Sequence, residues 1–121
     1  MSFLRLLRML WEWFREAGPV REPERRSLRL MREWLSPAQR EQFDTRGYFD
    51  VIGSHTGRRY RIRIGTATNI NELDRFGHAV ARWCFVPSEG LPAGDVMLAQ
   101  KIALENDERS ALAVASTRNH S

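Results

Sequence analysis

Four arginines crowd into the six residues from Arg58 to Arg63, with one tyrosine among them. Arg58, Arg59, Arg61 and Arg63 supply guanidinium groups, which pair bidentately with carboxylates and phosphates. The chemistry they offer is therefore recognition of an anion, either nucleic acid or an acidic protein partner. Alternation along the stretch sets a limit on that reading. In an extended strand Arg59, Arg61 and Arg63 point one way while Tyr60, Ile62 and Ile64 point the other, so Tyr60 lies on the opposite face from those three arginines. A solvated sheet face paired across strands with acids such as Asp50 or Glu72 accounts for the same residues.

The remaining reactive side chains do not assemble into a catalytic or metal-binding pattern. His55, His78 and Cys84 have the right chemistry for a metal, but their spacing matches none of the usual zinc patterns, which combine close ligand pairs separated by two to five residues. Cys84 and His78 lie six residues apart on one strand-like run, hence roughly 20 Å apart by strand rise, which removes them as a nucleophile and base. Gly53-Ser-His-Thr-Gly57 opens a strand instead of a helix, so it lacks the helix N-terminal amides that a phosphate cradle needs. Glu89 reads as a loop charge and Asp95 as the N-cap of a helix. No catalytic residue, cofactor or metal is expected.

A second candidate surface lies at the start of the chain. Residues 3–16 read as a helix, because Arg5, Arg8, Glu12, Arg15 and Glu16 fall on one stripe. The apolar residues around them, including Phe3, Leu7, Leu10, Trp11, Trp13 and Phe14, cover an arc wider than one core-facing stripe requires. Such a helix suits docking on its own domain, self-association or a protein partner. Attachment to a membrane surface through its tryptophans and snorkelling arginines is a further alternative. The charged interruptions exclude a signal peptide, and the run is shorter than the roughly 20 apolar residues of a membrane span.

The elements that must position these residues follow from pattern and composition. A chain of 121 residues holds one domain, with 42% hydrophobic and 28% charged residues that suit a soluble globular fold. The net charge of +4 rests on 18 arginines and one lysine, Lys101. The lone Cys84 excludes an intrachain disulfide and suits a reducing, cytoplasmic setting. Gly18-Pro19 ends the first helix, and a second runs from Pro23 to Leu35 with Leu28, Met31 and Leu35 on its buried face. Ser36-Pro37-Ala38-Gln39 is a capping box that starts a third, short helix stopped by Gly47. Tyr48–Ile52 and Arg58–Ile64 then form a hairpin. A short strand over Ile70–Leu73 and another over His78–Val86 follow, the last apolar on both faces and therefore expected at the centre of the sheet. A helix from Asp95 to Glu105, burying Leu98, Ala99, Ile102 and Ala103, precedes a break at Asn106-Asp107.

The runs FDVIGSHTGRRY (49–60), Asn69, CFVP (84–87) and LPAGDVMLAQKIALE (91–105) resemble a small domain of uncharacterised bacterial proteins. The resemblance spans residues 47–115 and implies a structural unit without implying any activity or ligand.

The sequence thus predicts an α+β protein: a three- to four-stranded antiparallel meander packed by a C-terminal helix, with an N-terminal helical arm. The arm occupies residues 1–18, a single domain 23–116 and a flexible tail 117–121. Function is expected to be non-catalytic, an interaction module that meets a protein partner or a second copy through residues 3–16. Anion binding through Arg58, Arg59, Arg61 and Arg63 is the alternative.

Overall fold

The computed structural model describes residues 8, 22–66, 68–85 and 90–119. Of the predicted helix over residues 3–16 only Arg8 is among them, and Phe3, Leu7, Leu10, Trp11, Trp13 and Phe14 lie outside the described residues. The architecture is α+β: helices α1 (Glu22–Glu33) and α2 (Pro37–Arg46), strands β1 (Tyr48–Ile52), β2 (Arg59–Arg63), β3 (Ile70–Leu73) and β4 (Ala79–Trp83), and helix α3 (Ala93–Asn119). The strands form one antiparallel sheet in the order β1-β2-β3-β4, a meander in which each strand pairs with its neighbour in sequence.

Helix α2 begins where the capping box places it. Ser36 Oγ accepts from the Gln39 amide at 3.1 Å and the Gln39 side chain accepts from the Ser36 amide at 3.0 Å, so two amides left open at the helix start are satisfied reciprocally. Gly47 ends it in the left-handed conformation, with φ 78° and its N–H on Phe43 O. Leu28 and Met31 on α1 and Leu35 just after it are buried as the spacing predicts, while Leu30 and Trp34 are 50% and 64% exposed; the helix ends at Glu33, short of the expected Leu35.

The core lies between one face of the sheet and the helices. Phe49, Val51, Tyr60, Ile62 and Ile70 meet Leu28, Met31, Phe43, Met97 and Leu104, all but completely buried. Each large side chain contributes about 1.5–3 kcal/mol by leaving water. Two expectations are corrected here. The fully buried stripe of α3 runs through Ala93, Val96, Met97, Gln100 and Leu104; of the expected residues Leu98 and Ala103 pack half-buried against the core, while Ile102 is 48% exposed. The stripe contains Gln100, a polar residue that disguises it. Nor is β4 central: it is an edge strand, with Val80 58% exposed. Two of its five residues, Ala79 and Ala81, are small and bury little area, so it does not demand cover on both sides.

The start of α3 is also corrected. The helix begins at Ala93, and Asp95 sits in its first turn instead of capping it. The caps come from α1: Glu24 Oε2 accepts from the Ala93 amide at 3.0 Å, and Ser27 Oγ accepts from the Asp95 amide at 2.7 Å while donating to Asp95 Oδ1 at 2.8 Å. The helices approach so closely that a Cβ built on Gly94 would overlap the backbone of Ser27 and Leu28. The expected break is present, because Asp107 adopts φ −153° and ψ 63°. Helical structure then resumes to Asn119, beyond the boundary at 116 read from the sequence.

Candidate functional site

The densest cluster of functional groups surrounds Glu108, just past the break in α3. Glu108 is 1% exposed. One carboxylate oxygen accepts from the amides of His55 at 2.9 Å and Thr56 at 2.8 Å, and the other from Thr56 Oγ1 and Tyr60 Oη, both at 2.6 Å. Its own amide donates to Ser54 Oγ at 3.0 Å, and the Arg109 amide donates to His55 Nδ1 at 3.2 Å. The β1–β2 turn is thereby tied to the break in the helix. Gly53 is part of the same fit, since a Cβ there would overlap the Glu108 carboxylate. Burial raises the Glu108 carboxyl, but the donors from Thr56, Tyr60 and His55 outweigh burial and hold it at about 2. Burial first, then the hydrogen bond to Glu108, pushes the Tyr60 hydroxyl up, so the proton stays on tyrosine. With Tyr60 at 0% exposure as well, these groups are closed to substrate, and their chemistry is that of a structural tie.

The arginines of β2 divide between the two faces of the sheet. Arg59, Arg61 and Arg63 lie on the face opposite the core. Arg58 lies on the core side, with Nη1 3.5 Å from Glu72, which also accepts from Trp83 Nε1 at 3.2 Å. On the outer face the register sets Asp50, Arg61, Asn71 and Arg82 in one row across all four strands. Arg61 grips Asp50 through two hydrogen bonds, at 2.9 and 3.1 Å, and Arg59 comes within 3.8 Å of the same carboxylate. Arg63 Nε donates to Asn71 Oδ1 at 2.9 Å. Arg82 is exposed and forms no ion pair among the described residues. Among the described residues this face carries four guanidinium groups against one carboxylate.

Sequence reasoning missed two members of this face. Tyr48 stands opposite Arg63, and the guanidinium of Arg61 lies 4.0 Å from its ring centroid, that of Arg63 5.5 Å. The hairpin register would have found it, because Tyr48, Asp50 and Ile52 share a face by alternation. Arg82 was obscured by the apolar run around it.

The two outer edges of the sheet differ. In an antiparallel ladder a residue's N–H and C=O point to the same side, and successive residues alternate. At the middle of β1 the outward groups belong to Asp50, and both are covered by α2: Gln42 Oε1 accepts from the Asp50 amide at 2.8 Å and Gln39 Nε2 donates to Asp50 O at 3.0 Å. Among the described residues no comparable bond reaches the outer edge of β4.

The metal-type residues remain apart. His55 is in the β1–β2 turn, His78 precedes β4 with Nδ1 3.6 Å from Asp74, and Cys84 follows β4. Among the described residues no three His, Cys, Asp or Glu side chains are grouped to hold a metal ion, and no helix is long and apolar enough to cross a membrane. No protein-family model matches the chain, and no curated protein and no solved structure matches it.

Proposed function

We propose that the protein is a non-catalytic interaction module whose outer sheet face docks an acidic protein partner. The observation that carries this reading is the imbalance of that face, where Arg59, Arg61, Arg63 and Arg82 outnumber the single carboxylate of Asp50. Asp50 is taken up by Arg61, and among the described residues Arg63 bonds to a neutral amide and to no carboxylate, so Arg63 and Arg82 keep charge to offer. An acidic polypeptide fits better than nucleic acid, because Arg61 already covers the Tyr48 ring on which a base would stack. The test is fluorescence anisotropy of the full chain with a labelled Glu-rich peptide and with a single-stranded oligonucleotide of equal charge. Peptide binding is expected to weaken with salt and to fall when Arg63 and Arg82 become Gln, while Arg58→Gln has little effect. Tighter binding of the oligonucleotide, or indifference to Arg63 and Arg82, overturns the reading.

A second reading retains residues 3–16 as an arm for self-association or partner docking. Leu30, on the helix that follows this segment, and Trp34, just past its end, favour it, both being exposed. Deleting residues 1–17 is expected to leave a folded domain and to abolish assembly, and an unchanged size by light scattering refutes it.

A further inference from the structure

Resting on the reading of the outer face as an acidic-partner surface, we infer that the partner's acidic segment is extended and adds to the sheet as a fifth strand along β4. The ladder fixes which backbone groups are on offer. The Arg63 amide donates to Asn69 O at 2.8 Å, so these two residues face each other across β2 and β3. By alternation Arg61 and Asn71 do the same, which turns the N–H and C=O of Ile70 and Glu72 toward Trp83 and Ala81 on β4. Arg82, between Trp83 and Ala81, therefore points its own N–H and C=O away from the sheet, and Cys84 comes next in that alternation. Arg82 is the counterpart of Asp50 at the other end of the same row. Asp50 has its outward groups sealed by Gln39 and Gln42, whereas the outward groups of Arg82 have no partner among the described residues.

Local charge selects the occupant. Around this edge Arg75, His78 and Arg82 are exposed, and the nearest acids are engaged: Asp74 accepts from the amides of Phe76 and His78, and Glu72 from Trp83. A strand that bonds to the backbone of Arg82 sets one of its side chains beside the Arg82 guanidinium on the outer face, where a glutamate or aspartate is complementary. A second copy of β4 would bring Arg82, Arg75 and His78 against themselves, which like-charge repulsion disfavours. The register also bounds the added strand. Glu72 pairs with Ala81 and Leu73 with Ala79, so Val80 is an extra, bulged residue, and the regular edge starts at Ala81.

The experiment uses the full chain and a labelled heptapeptide of alternating Glu and Val, with a Lys-for-Glu peptide as control. Arg82→Pro removes an N–H that points away from β3, so the native ladder is retained while the incoming strand loses its donor and meets the proline ring. Binding of the Glu peptide is expected to fall about tenfold or more in Arg82→Pro and several-fold in Arg82→Gln, and the Lys peptide is not expected to bind. Hydrogen exchange on the unaltered protein provides a readout independent of folding in the variants: saturating Glu peptide is expected to slow exchange of the Arg82 amide. Unchanged exchange at Arg82 overturns the fifth-strand inference. If the peptide still binds and binding still depends on Arg63, the outer-face reading survives that result. Absence of Glu-peptide binding overturns both. A dimer of the full chain that dissociates on Arg82→Pro also overturns the inference, in favour of pairing between two copies.

Discussion

Replacing Glu108 by glutamine keeps the shape of the side chain and removes its charge, which separates what the tie around the β1–β2 turn owes to each. The carboxyl is held at about 2 in the folded chain against its ordinary 4.5. That difference converts to about 3 kcal/mol of stability at neutral pH, a large share of the roughly 5–15 kcal/mol that holds a domain together. The sign follows from the direction. A carboxyl lowered on folding stabilises the protein fully above its unfolded value of 4.5, and the contribution drains away as pH falls toward 2. Glu108→Gln cannot titrate. Urea unfolding at pH 7 is therefore expected to place the variant about 2–3 kcal/mol below the unaltered protein, with the gap closing steadily from about pH 5 to pH 2. Hydroxyls of Thr56 and Tyr60 can rotate to accept from the new amide, which keeps the variant folded. A gap that stays constant from pH 7 to pH 2 refutes the charge argument, and a gap under about 0.5 kcal/mol at pH 7 refutes the tie itself.

Three further perturbations probe the scaffold. Gly94→Ala forces α1 and α3 apart, because the new methyl meets backbone atoms that cannot yield, and is expected to cost about 2–4 kcal/mol in urea unfolding. Ser36→Ala removes the N-cap of α2 and is expected to cost about 1 kcal/mol, with helix content by circular dichroism otherwise kept. Tyr60→Phe leaves Glu108 one donor short and is expected to destabilise by about 1–3 kcal/mol and to raise the pH at which acid unfolding begins.

What could be read from the sequence is what neighbouring residues decide among themselves. The Ser36–Gln39 capping box, the stop at Gly47, the alternation of Arg59 to Arg63 and the break at Asn106-Asp107 are all local, and each has its counterpart in the fold. The features that escaped depend on partners far along the chain. Glu108 looks like one more surface acid until the turn around Thr56, 52 residues earlier, is folded against it. Gln100 is buried because its amide pairs reciprocally with that of Asn69, at 2.8 and 3.0 Å, and also donates to Phe85 O at 2.9 Å. Hydrophobic spacing does not register such a residue. The outer face was half legible: Arg59, Arg61 and Arg63 announced it, whereas Tyr48 and Arg82 joined it only through the pairing of strands.

The borrowed caps on α3 bear on how the chain reaches this fold. Glu24 and Ser27 close the first turn of a helix that lies 69 and 68 residues downstream, so that turn is complete only when the two ends of the domain have met. Loop closure over such a separation brings its entropic cost early, while the contacts that reward it arrive only at docking. Assembly is therefore cooperative across the whole domain. A nascent chain still lacking residues beyond Pro92 would hold Glu24 and Ser27 without the amides they serve, and the core face of the meander would lack the cover of Met97 and Leu104. On the ribosome, then, the native packing of this domain waits for α3 to emerge.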